Sequence, residues 1–186
     1  MKKFLIFDVE TSGFTPPKAR IAELAFMLVD ESGNELHSHS SLIKPDGWEI
    51  PKEKFFIDNG MSTERNIELG VPIFGVLREF QDTLKQCDYV VAHNIPFDRK
   101  FVMHELKQAK ITHQLFQFKK GICTMSTTTD YCKLPGKYGN YKWPKLEELH
   151  HILFEEGFDG AHEALADVKA TSRCLIELIK RGIIKI

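Results

Sequence analysis

The sequence lacks any apolar run long enough to span a membrane. Two lysines and then only four apolar residues precede Asp8, which is too short for the hydrophobic region of a signal peptide. Its four cysteines show neither close pairing nor zinc-type spacing, since they lie at Cys87, Cys123, Cys132 and Cys174. These absences exclude a membrane-spanning protein and a secreted disulfide framework. We therefore expect a soluble, cytoplasmic protein with reduced thiols and no membrane partner.

The chain also lacks an excess of basic residues. Its formal net charge is −1, from 25 lysines and arginines against 26 acids, so the global charge gives no reason to expect a polyanionic partner. A cluster of active-site acids would hide local basic residues in such a sum. With 186 residues and 42% hydrophobic content, the chain is long enough for one compact domain, 1–186, that buries roughly 70% of its unfolded surface.

Hydrophobic patterning predicts an α/β fold with a mixed sheet. Ile21–Asp30 and Leu36–Lys44 have the composition of strands, and the turn-rich segment between them predicts an antiparallel hairpin. One short strand and three helices are predicted after them, the strand over Asp88–Ala92 and the helices over Phe74–Leu84, Phe97–Leu106 and Ala161–Ile179. Strands first, then strand and helix in alternation, indicate a sheet flanked by helices.

Asp8 and Glu10 follow the apolar run Phe4–Phe7, which has the composition of a buried central strand. Residues two apart on a strand point to the same face, so the two carboxylates lie side by side where the sheet ends. About three or four acid-x-acid pairs are expected by chance among 26 acids, yet this pair is the only one in the chain. Carboxylate oxygens at this position are typical of Mg²⁺ or Mn²⁺ sites.

Two further acids and one histidine stand near predicted helix starts. Asp98 follows the turn 93–96, where it would either join the metal site or favour the helix N-terminus through the dipole. Asp167 lies beside the apolar stripe of the last helix, where a carboxylate is costly unless a cation compensates it; the alternative is a solvated helix flank. His162 follows the glycine-bearing segment 157–161 and is either a general base or an ordinary surface histidine.

With these residues in place, the sequence resembles the DEDDh group of 3′→5′ exonucleases, which have the ribonuclease H-like fold. The first motif is Phe7-Asp8-Val9-Glu10-Thr11, the second is His93-Asn94-Ile95-Pro96-Phe97-Asp98, and the third is His162 with Asp167 five positions later. The three motifs occur in the family's order, and the resemblance covers nearly the whole chain. The histidine at 162 is what places the sequence in the histidine subgroup.

The resemblance implies a five-stranded mixed sheet and a site for two divalent metal ions, Mg²⁺ or Mn²⁺. Asp8 would bridge both ions, and Glu10, Asp98 and Asp167 would complete the coordination directly or through water. The ions would lower the pKa of the attacking water and stabilise the leaving 3′ oxygen, while His162 would accept the proton of the nucleophile. The products would be nucleoside 5′-monophosphates.

The turn after the first motif is the expected contact with the strand end. Thr11, Ser12 and Gly13 offer hydroxyls and backbone N–H groups that would hold the terminal 3′ hydroxyl. Phe14 would stack on the last base, or pack in the core as most of the 14 phenylalanines must. Asn94 would contact a phosphate or cap the following turn.

A basic and aromatic stretch without acids spans residues 133–145, with four lysines and three aromatic residues. This composition suits a single strand, and we expect Lys137 and Lys142 to contact it. The alternative is a solvated loop whose Trp143 packs against the helix that opens near Pro144.

Two histidine pairs receive no assignment. His37 and His39 alternate on a predicted strand, where exposed polar side chains are the expected interpretation. His150 and His151 are interpreted in the same way.

Three functions compete. The first is a 3′→5′ exonuclease acting on single-stranded or frayed DNA ends, of the proofreading or repair type, with a polymerase as a non-covalent partner. The second keeps the chemistry but acts on RNA or short oligoribonucleotides, since no residue here decides whether a 2′ hydroxyl is accepted. The third is a catalytically silent nucleic-acid-binding module that retains only the fold.

Overall fold

Strand β1 (Lys3–Thr11) is the central strand of a five-stranded sheet. The computed structural model describes residues 1–161 and 163–186. The sheet has the order β3-β2-β1-β4-β5, and the other strands are β2 (Ile21–Asp30), β3 (Glu35–Leu42), β4 (Tyr89–Ala92) and β5 (Lys120–Cys123). The first three strands pair antiparallel, whereas β4 and β5 run parallel to β1. The predicted mixed five-stranded sheet is therefore confirmed.

Both faces of β1 are buried, which explains why its sequence is continuously apolar. Leu5, Phe7 and Val9 point into one core, and Phe4 and Ile6 point into a second core on the opposite face. This separation follows from the two-residue repeat of a strand. A sheet covered on both sides places the end of β1 in surroundings that contain little water.

Helices cover each face of the sheet. The helices are α1 (Lys54–Asp58), α2 (Thr63–Leu69), α3 (Ile73–Leu84), α4 (Ile95–Gln108), α5 (Gln114–Phe118), α6 (Thr124–Thr127), α7 (Thr129–Cys132), α8 (Leu146–Phe154) and α9 (Ala164–Lys180). Residues of α3, α4 and α5 pack into the first core, and residues of α8 and α9 pack into the second. Among the described residues, no helix has the length and apolar character needed to cross a membrane.

The observed elements differ from the predicted ones mainly at their ends. β2 has the predicted bounds, whereas β3 starts at Glu35 and ends at Leu42. The last helix begins at Ala164 rather than Ala161, because a turn comes first in which the Glu163 N–H donates to the Gly160 carbonyl at 2.9 Å.

A buried ion pair fixes helix α4 to the start of β2. Arg20 donates to both oxygens of Glu105 at 2.6 Å, and the Glu105 side chain is 1% exposed. The planar guanidinium matches the carboxylate in a two-pronged contact. Glu105 therefore depends on Arg20 for its only ion pair among the described residues.

We expect Arg20→Ala to lower the free energy of unfolding by about 3–5 kcal/mol, because it leaves the buried Glu105 carboxylate without its partner. Urea denaturation measures the change. The double variant Arg20→Met with Glu105→Leu should recover most of the loss, since it removes both charges together.

Lys54→Ala is the control for this experiment. It removes one partner of the exposed Lys54–Asp58 pair and should change stability by about 1 kcal/mol or less. Equal unfolding midpoints for Arg20→Ala and Lys54→Ala would contradict the importance of the buried pair.

Candidate active site

Asp8 and Glu10 lie at the carboxyl end of β1, with Val9 between them turned into the core. The pairing of β1 with β2 shifts register between Glu10 and Thr11, so the ladder is irregular directly after the second acid. One oxygen each from Asp8, Glu10 and Asp167 lies within 4.8 Å of the others. The structure thus brings an acid of the third motif to the two acids of the first.

Asp98 reaches the same strand end from helix α4. It sits in the first turn of α4 and is 3% exposed, and its Oδ1 accepts the Val9 N–H at 3.2 Å. β4 runs parallel to β1, so the helix that follows β4 begins beside the end of β1. Asp98 therefore contacts β1 at Val9, between the two acids of the first motif. An acid that only stabilised the helix N-terminus would not need this contact.

Asp167 is positioned by the first turn of α9. Ala164 and Val168, on either side of it, are buried in the second core, and the Asp167 N–H donates to the Glu163 carbonyl at 3.1 Å. The carboxylate lies on the flank of this packed face, where it is partly exposed and points to the acids of β1. Packing of α9 on β1 and β2 holds it there.

Burial and mutual repulsion raise the pKa of each described acid in the cluster for which a shift is resolved. Burial raises the pKa of Asp8 well above its ordinary value, with Asp98, Glu10 and Asp167 adding repulsion. Burial and the charge of Asp167 raise the pKa of Glu10 to about 8. Burial raises the pKa of Asp98 to about 7, against the opposing hydrogen bond from Val9. Such a cluster favours a bound cation that compensates its charge.

The predicted general base His162 lies outside the described residues. The structure describes the residues on either side of it. Gly160 has φ +77°, and Phe158 packs against the ring of His150 with centroids 5.2 Å apart. His150 is buried, which corrects its interpretation as an exposed polar residue. Its Nδ1 also lies 3.0 Å from the Glu156 carbonyl.

The loop after Glu10 turns its hydroxyls inward and its phenylalanine outward. The Thr11 hydroxyl donates to the Gly13 carbonyl at 2.6 Å, and the Ser12 hydroxyl accepts the Arg20 N–H at 2.9 Å. The Phe14 side chain is 84% exposed, which excludes a core position. The Lys100 ammonium on α4 donates to the Phe14 carbonyl at 2.7 Å and fixes the loop against the helix.

The second motif is tied to the basic, aromatic stretch through His93. Its Nδ1 lies 3.0 Å from the Thr124 hydroxyl and its Nε2 lies 2.9 Å from the Pro144 carbonyl. Asn94 precedes α4 without capping it through its side chain. Asn94 nevertheless occupies the N-cap position, where its carbonyl accepts the Phe97 N–H at 2.9 Å, and its contact with a phosphate stays a prediction.

The stretch 133–145 forms a small hairpin rather than an open loop. Lys142 N–H donates to the Leu134 carbonyl, and Tyr138 at the tip is 97% exposed. Lys137 is exposed near the tip, whereas the Lys142 ammonium pairs with Glu148 of α8. Trp143 is 66% exposed, so most of its ring is free of the helix that follows.

The sequence analysis did not predict the residues that line a cavity beside Glu10. A cavity of about 390 Å³ is lined there by residues that include Glu23, Asn59, Met61 and Arg65. Glu23 is the direct cross-strand partner of Glu10, and its charge contributes to the raised pKa of Glu10. The predicted hairpin joins β2 to β3, so it gave no signal for the pairing of Glu23 with Glu10 across β1 and β2. Residues 59–65 had none, because they come from α2 and the turn before it.

This arrangement defines a class of protein, namely one with a ribonuclease H-like fold and, at the end of its central strand, an acidic cluster that could hold a metal ion. The RNase_T family model, described as an exonuclease, matches residues 5–175. The 3′-5′ exonuclease DinG of Bacillus subtilis is 30% identical over 185 residues, covering 97% of this chain and 18% of DinG. Ribonuclease T of Wigglesworthia glossinidia brevipalpis is 26% identical over 193 residues, covering 95% of this chain and 84% of that protein.

Solved structures of exonuclease I share the fold. One gives a TM-score of 0.81 at 17% identity and covers 97% of this chain and 41% of that chain. Escherichia coli exonuclease I in complex with a dT13 oligonucleotide gives a TM-score of 0.80 at 18% identity, covering 98% of this chain and 42% of that chain. The chain belongs to the exonuclease family, in its DEDDh group, and it spans 18% of the length of DinG.

Without metal, we expect the free energy of unfolding to fall as the pH rises from about 5 to about 8. Glu10, with a pKa of about 8, and Asp98, with a pKa of about 7, keep protons in the folded state that they lose in the unfolded chain. A raised folded-state pKa means that raising the pH removes stability. Urea denaturation in a chelator at the two pH values measures the slope.

Added Mn²⁺ should stabilise the protein more at about pH 8 than at about pH 5, because carboxylates must lose their protons to bind metal. Asp8→Asn is the matched variant, since it removes one charge without changing the shape. It should be more stable than the wild type in chelator at the higher pH and gain less from Mn²⁺. Stabilisation by Mn²⁺ that is larger at the lower pH would contradict the assignment.

Proposed function

We propose that this chain is a metal-dependent 3′→5′ exonuclease of DNA that acts as one domain, 1–186, and releases nucleoside 5′-monophosphates. The observation that carries the proposal is the convergence of Asp8, Glu10 and Asp167 at the end of β1, with oxygens within 4.8 Å. Asp98 is bonded to the same strand. Acids buried in this way need positive charge, and a nucleic acid substrate brings none.

The donor set fits two divalent ions of the Mg²⁺ or Mn²⁺ type, since every ligand is a carboxylate oxygen at a partly enclosed site. Asp8, Glu10, Asp98 and Asp167 would hold them. When bound, such ions activate water and stabilise charge on the leaving 3′ oxygen. The chain itself contributes the fixed positions of the four carboxylates, which three separate elements of the fold supply.

His162 is the proposed general base. An imidazole titrates near neutral pH, so it accepts a proton from the attacking water at working pH. The turn at Gly160 and the Phe158–His150 contact hold the chain that leads to it. The start of α9 holds the chain that follows, because Ala164 is buried.

The substrate strand is proposed to pass between the loop after Glu10 and the 133–145 hairpin. Phe14 offers an exposed ring for the last base, and the backbone around Gly13 would hold the 3′ hydroxyl. Thr11 and Ser12 hold the shape of this loop through their hydroxyl contacts. Asn94, Lys137 and Lys142 are the proposed phosphate contacts, with Lys142 exchanging Glu148 for the strand.

DNA is proposed as the substrate because related folds have been solved with it: the exonuclease I complexes hold dT13 and dA16 oligonucleotides. The second candidate is an exoribonuclease, which is favoured by the match to ribonuclease T across 84% of that protein. The proofreading form of the proposal adds a polymerase bound non-covalently. A reducing, cytoplasmic location is proposed from the four free thiols.

The central test digests 5′-labelled single-stranded DNA, mispaired duplex DNA and RNA side by side with Mg²⁺ or Mn²⁺. We expect stepwise shortening from the 3′ end, fastest on single-stranded DNA. Asp8→Asn and Asp167→Asn should abolish it, and His162→Ala should slow it roughly 10²–10⁴-fold, the usual contribution of a positioned base.

Asp58→Asn is the control, because it removes an exposed acid of α1 and should keep full activity. Faster digestion of RNA would select the exoribonuclease. Binding of single strands without any digestion would select the catalytically silent module, and full activity in Asp8→Asn would exclude the proposed site.

Phe14→Ala should weaken binding of a single strand by about 1–3 kcal/mol, the usual value for one base stacked on an aromatic ring. Fluorescence anisotropy in the inactive Asp8→Asn background measures the affinity. Phe55→Ala, which removes another exposed phenylalanine, is the control and should bind as before. Unchanged affinity in a stably folded Phe14→Ala protein would remove Phe14 from the substrate site.

A further inference from the structure

A basic groove lies at the end of the sheet opposite to the acids. The parallel strands β1, β4 and β5 all begin at this end, and Tyr89 is paired in register with both Phe4 and Lys120. The acids lie at the other end of β1. Seven residues of strand separate Lys3 from Glu10, so the two ends are roughly 20 Å or more apart.

The groove encloses about 680 Å³, and we call it the pole groove. Its charged and aromatic lining consists of Lys2, Asp88, Tyr89, Phe118, Lys119 and Lys120. The lining thus contains three lysines and one acid, Asp88, whose Oδ2 accepts the Lys3 N–H at 2.9 Å. A second acid, Glu31, adjoins Lys2 and accepts its backbone N–H at 3.0 Å.

The lysines are arranged around an aromatic ring. The ammonium groups of Lys2 and Lys120 each lie 5.9 Å from the centroid of Tyr89. Tyr89 itself is fixed by stacking on the buried Phe4, with ring centroids 5.6 Å apart. Lys119 donates to the Cys87 carbonyl at 2.8 Å, which anchors the base of the groove.

Phe118 adds an exposed ring beside these charges. It is 78% exposed at the end of α5, whereas Phe116 on the same short helix is fully buried. Packing therefore uses Phe116 and leaves Phe118 free at the groove. Lysines that track a backbone, combined with an aromatic ring on which a base stacks, are the elements by which proteins bind single strands without sequence preference.

We propose that the pole groove is a second binding site for single-stranded nucleic acid, separate from the active site. Phosphates would lie against Lys2 and Lys120, and a base would stack on Phe118. The inference rests on the proposed function in one respect, namely that the chain handles nucleic acid strands. A strand long enough to reach both ends of β1 would be held at two places, whereas a short one would bind only at the active site.

The experiment measures anisotropy of labelled dT5 and dT30 over a range of salt concentrations, in the inactive Asp8→Asn background. Lys2→Glu combined with Lys120→Glu should raise the Kd of dT30 about tenfold or more at low salt. It should also flatten the slope of log Kd against log salt by about 1.4, as two lost phosphate contacts require. Phe118→Ala should raise the Kd of dT30 about fivefold or more, the lower end of the range for one stacked base.

At about 0.15 M salt, where screening reaches only about 8 Å, the Kd of dT5 should not change in any of these variants. Thermal melting checks that each variant is folded. Phe74→Ala combined with Arg78→Glu is the matched control, since it alters an exposed aromatic and an exposed cation of α3. This control should leave dT30 binding unchanged.

Unchanged dT30 binding in both groove variants would overturn the proposal. An equal loss for dT5 and dT30 would also overturn it, because the effect would then lie at the active site. Displacement of dT30 by polyglutamate as effectively as by unlabelled dT30 would assign the groove to an acidic polypeptide instead.

Digestion by the otherwise wild-type protein separates this inference from the proposed function. Groove-dependent binding of dT30 without any digestion would leave the groove standing and remove the nuclease. Digestion that is equally fast on dT30 with and without the groove substitutions, together with unchanged affinity, would leave the nuclease standing and remove the groove.

Discussion

Repulsion among partly buried carboxylates at the end of β1 is the constraint on which the rest of the structure depends. Asp8, Glu10 and Asp98 share a site that packing partly shields from water, and each has a raised pKa. A fold selected for stability alone would separate these charges or expose them. Three elements instead hold the acids together, so the packing of the sheet and its helices must outweigh their repulsion until a cation compensates it.

The topology of the sheet explains how only three elements, β1, α4 and α9, bring the acids together. β4 is the parallel neighbour of β1, so the helix after β4 must begin at the end of β1, and Asp98 is in its first turn. Helix α9 crosses β1 and β2 and begins at the same end. The Arg20–Glu105 pair and the Lys100–Phe14 contact join α4 to the loop that follows Glu10. Asp98 and the loop that follows Glu10 are therefore both attached to α4, and a shift of this helix would disturb both.

Much of the sheet and of the acidic site could be predicted from the sequence, because the patterns that indicate them lie within short segments of the chain. An apolar run ending in two acids indicates a central strand, and the strand bounds of β2 followed from its composition alone. β5 was not located, because Lys120 and Gly121 are exposed residues of a short edge strand and have no apolar alternation. The burial of His150 and the bridge from His93 to Pro144 were also missed. Both depend on contacts between segments far apart in the chain, which no local pattern records.

The net charge of −1 did not indicate a basic surface, because the acidic and basic residues collect at opposite ends of the sheet. Acids collect at the carboxyl end of β1, while Lys2, Lys119 and Lys120 collect where the parallel strands begin. A sum over the chain cancels the two, yet each end has its own field, because screening in salt reaches only about 8–10 Å. A strand approaching the protein would meet these ends separately. The acid end repels phosphates unless cations are bound, so attraction to nucleic acid must come from the metal ions or from basic surface elsewhere. Dividing the charge along one strand allows a protein with almost no net charge to have an acidic cluster at one end of the sheet and a basic groove at the other.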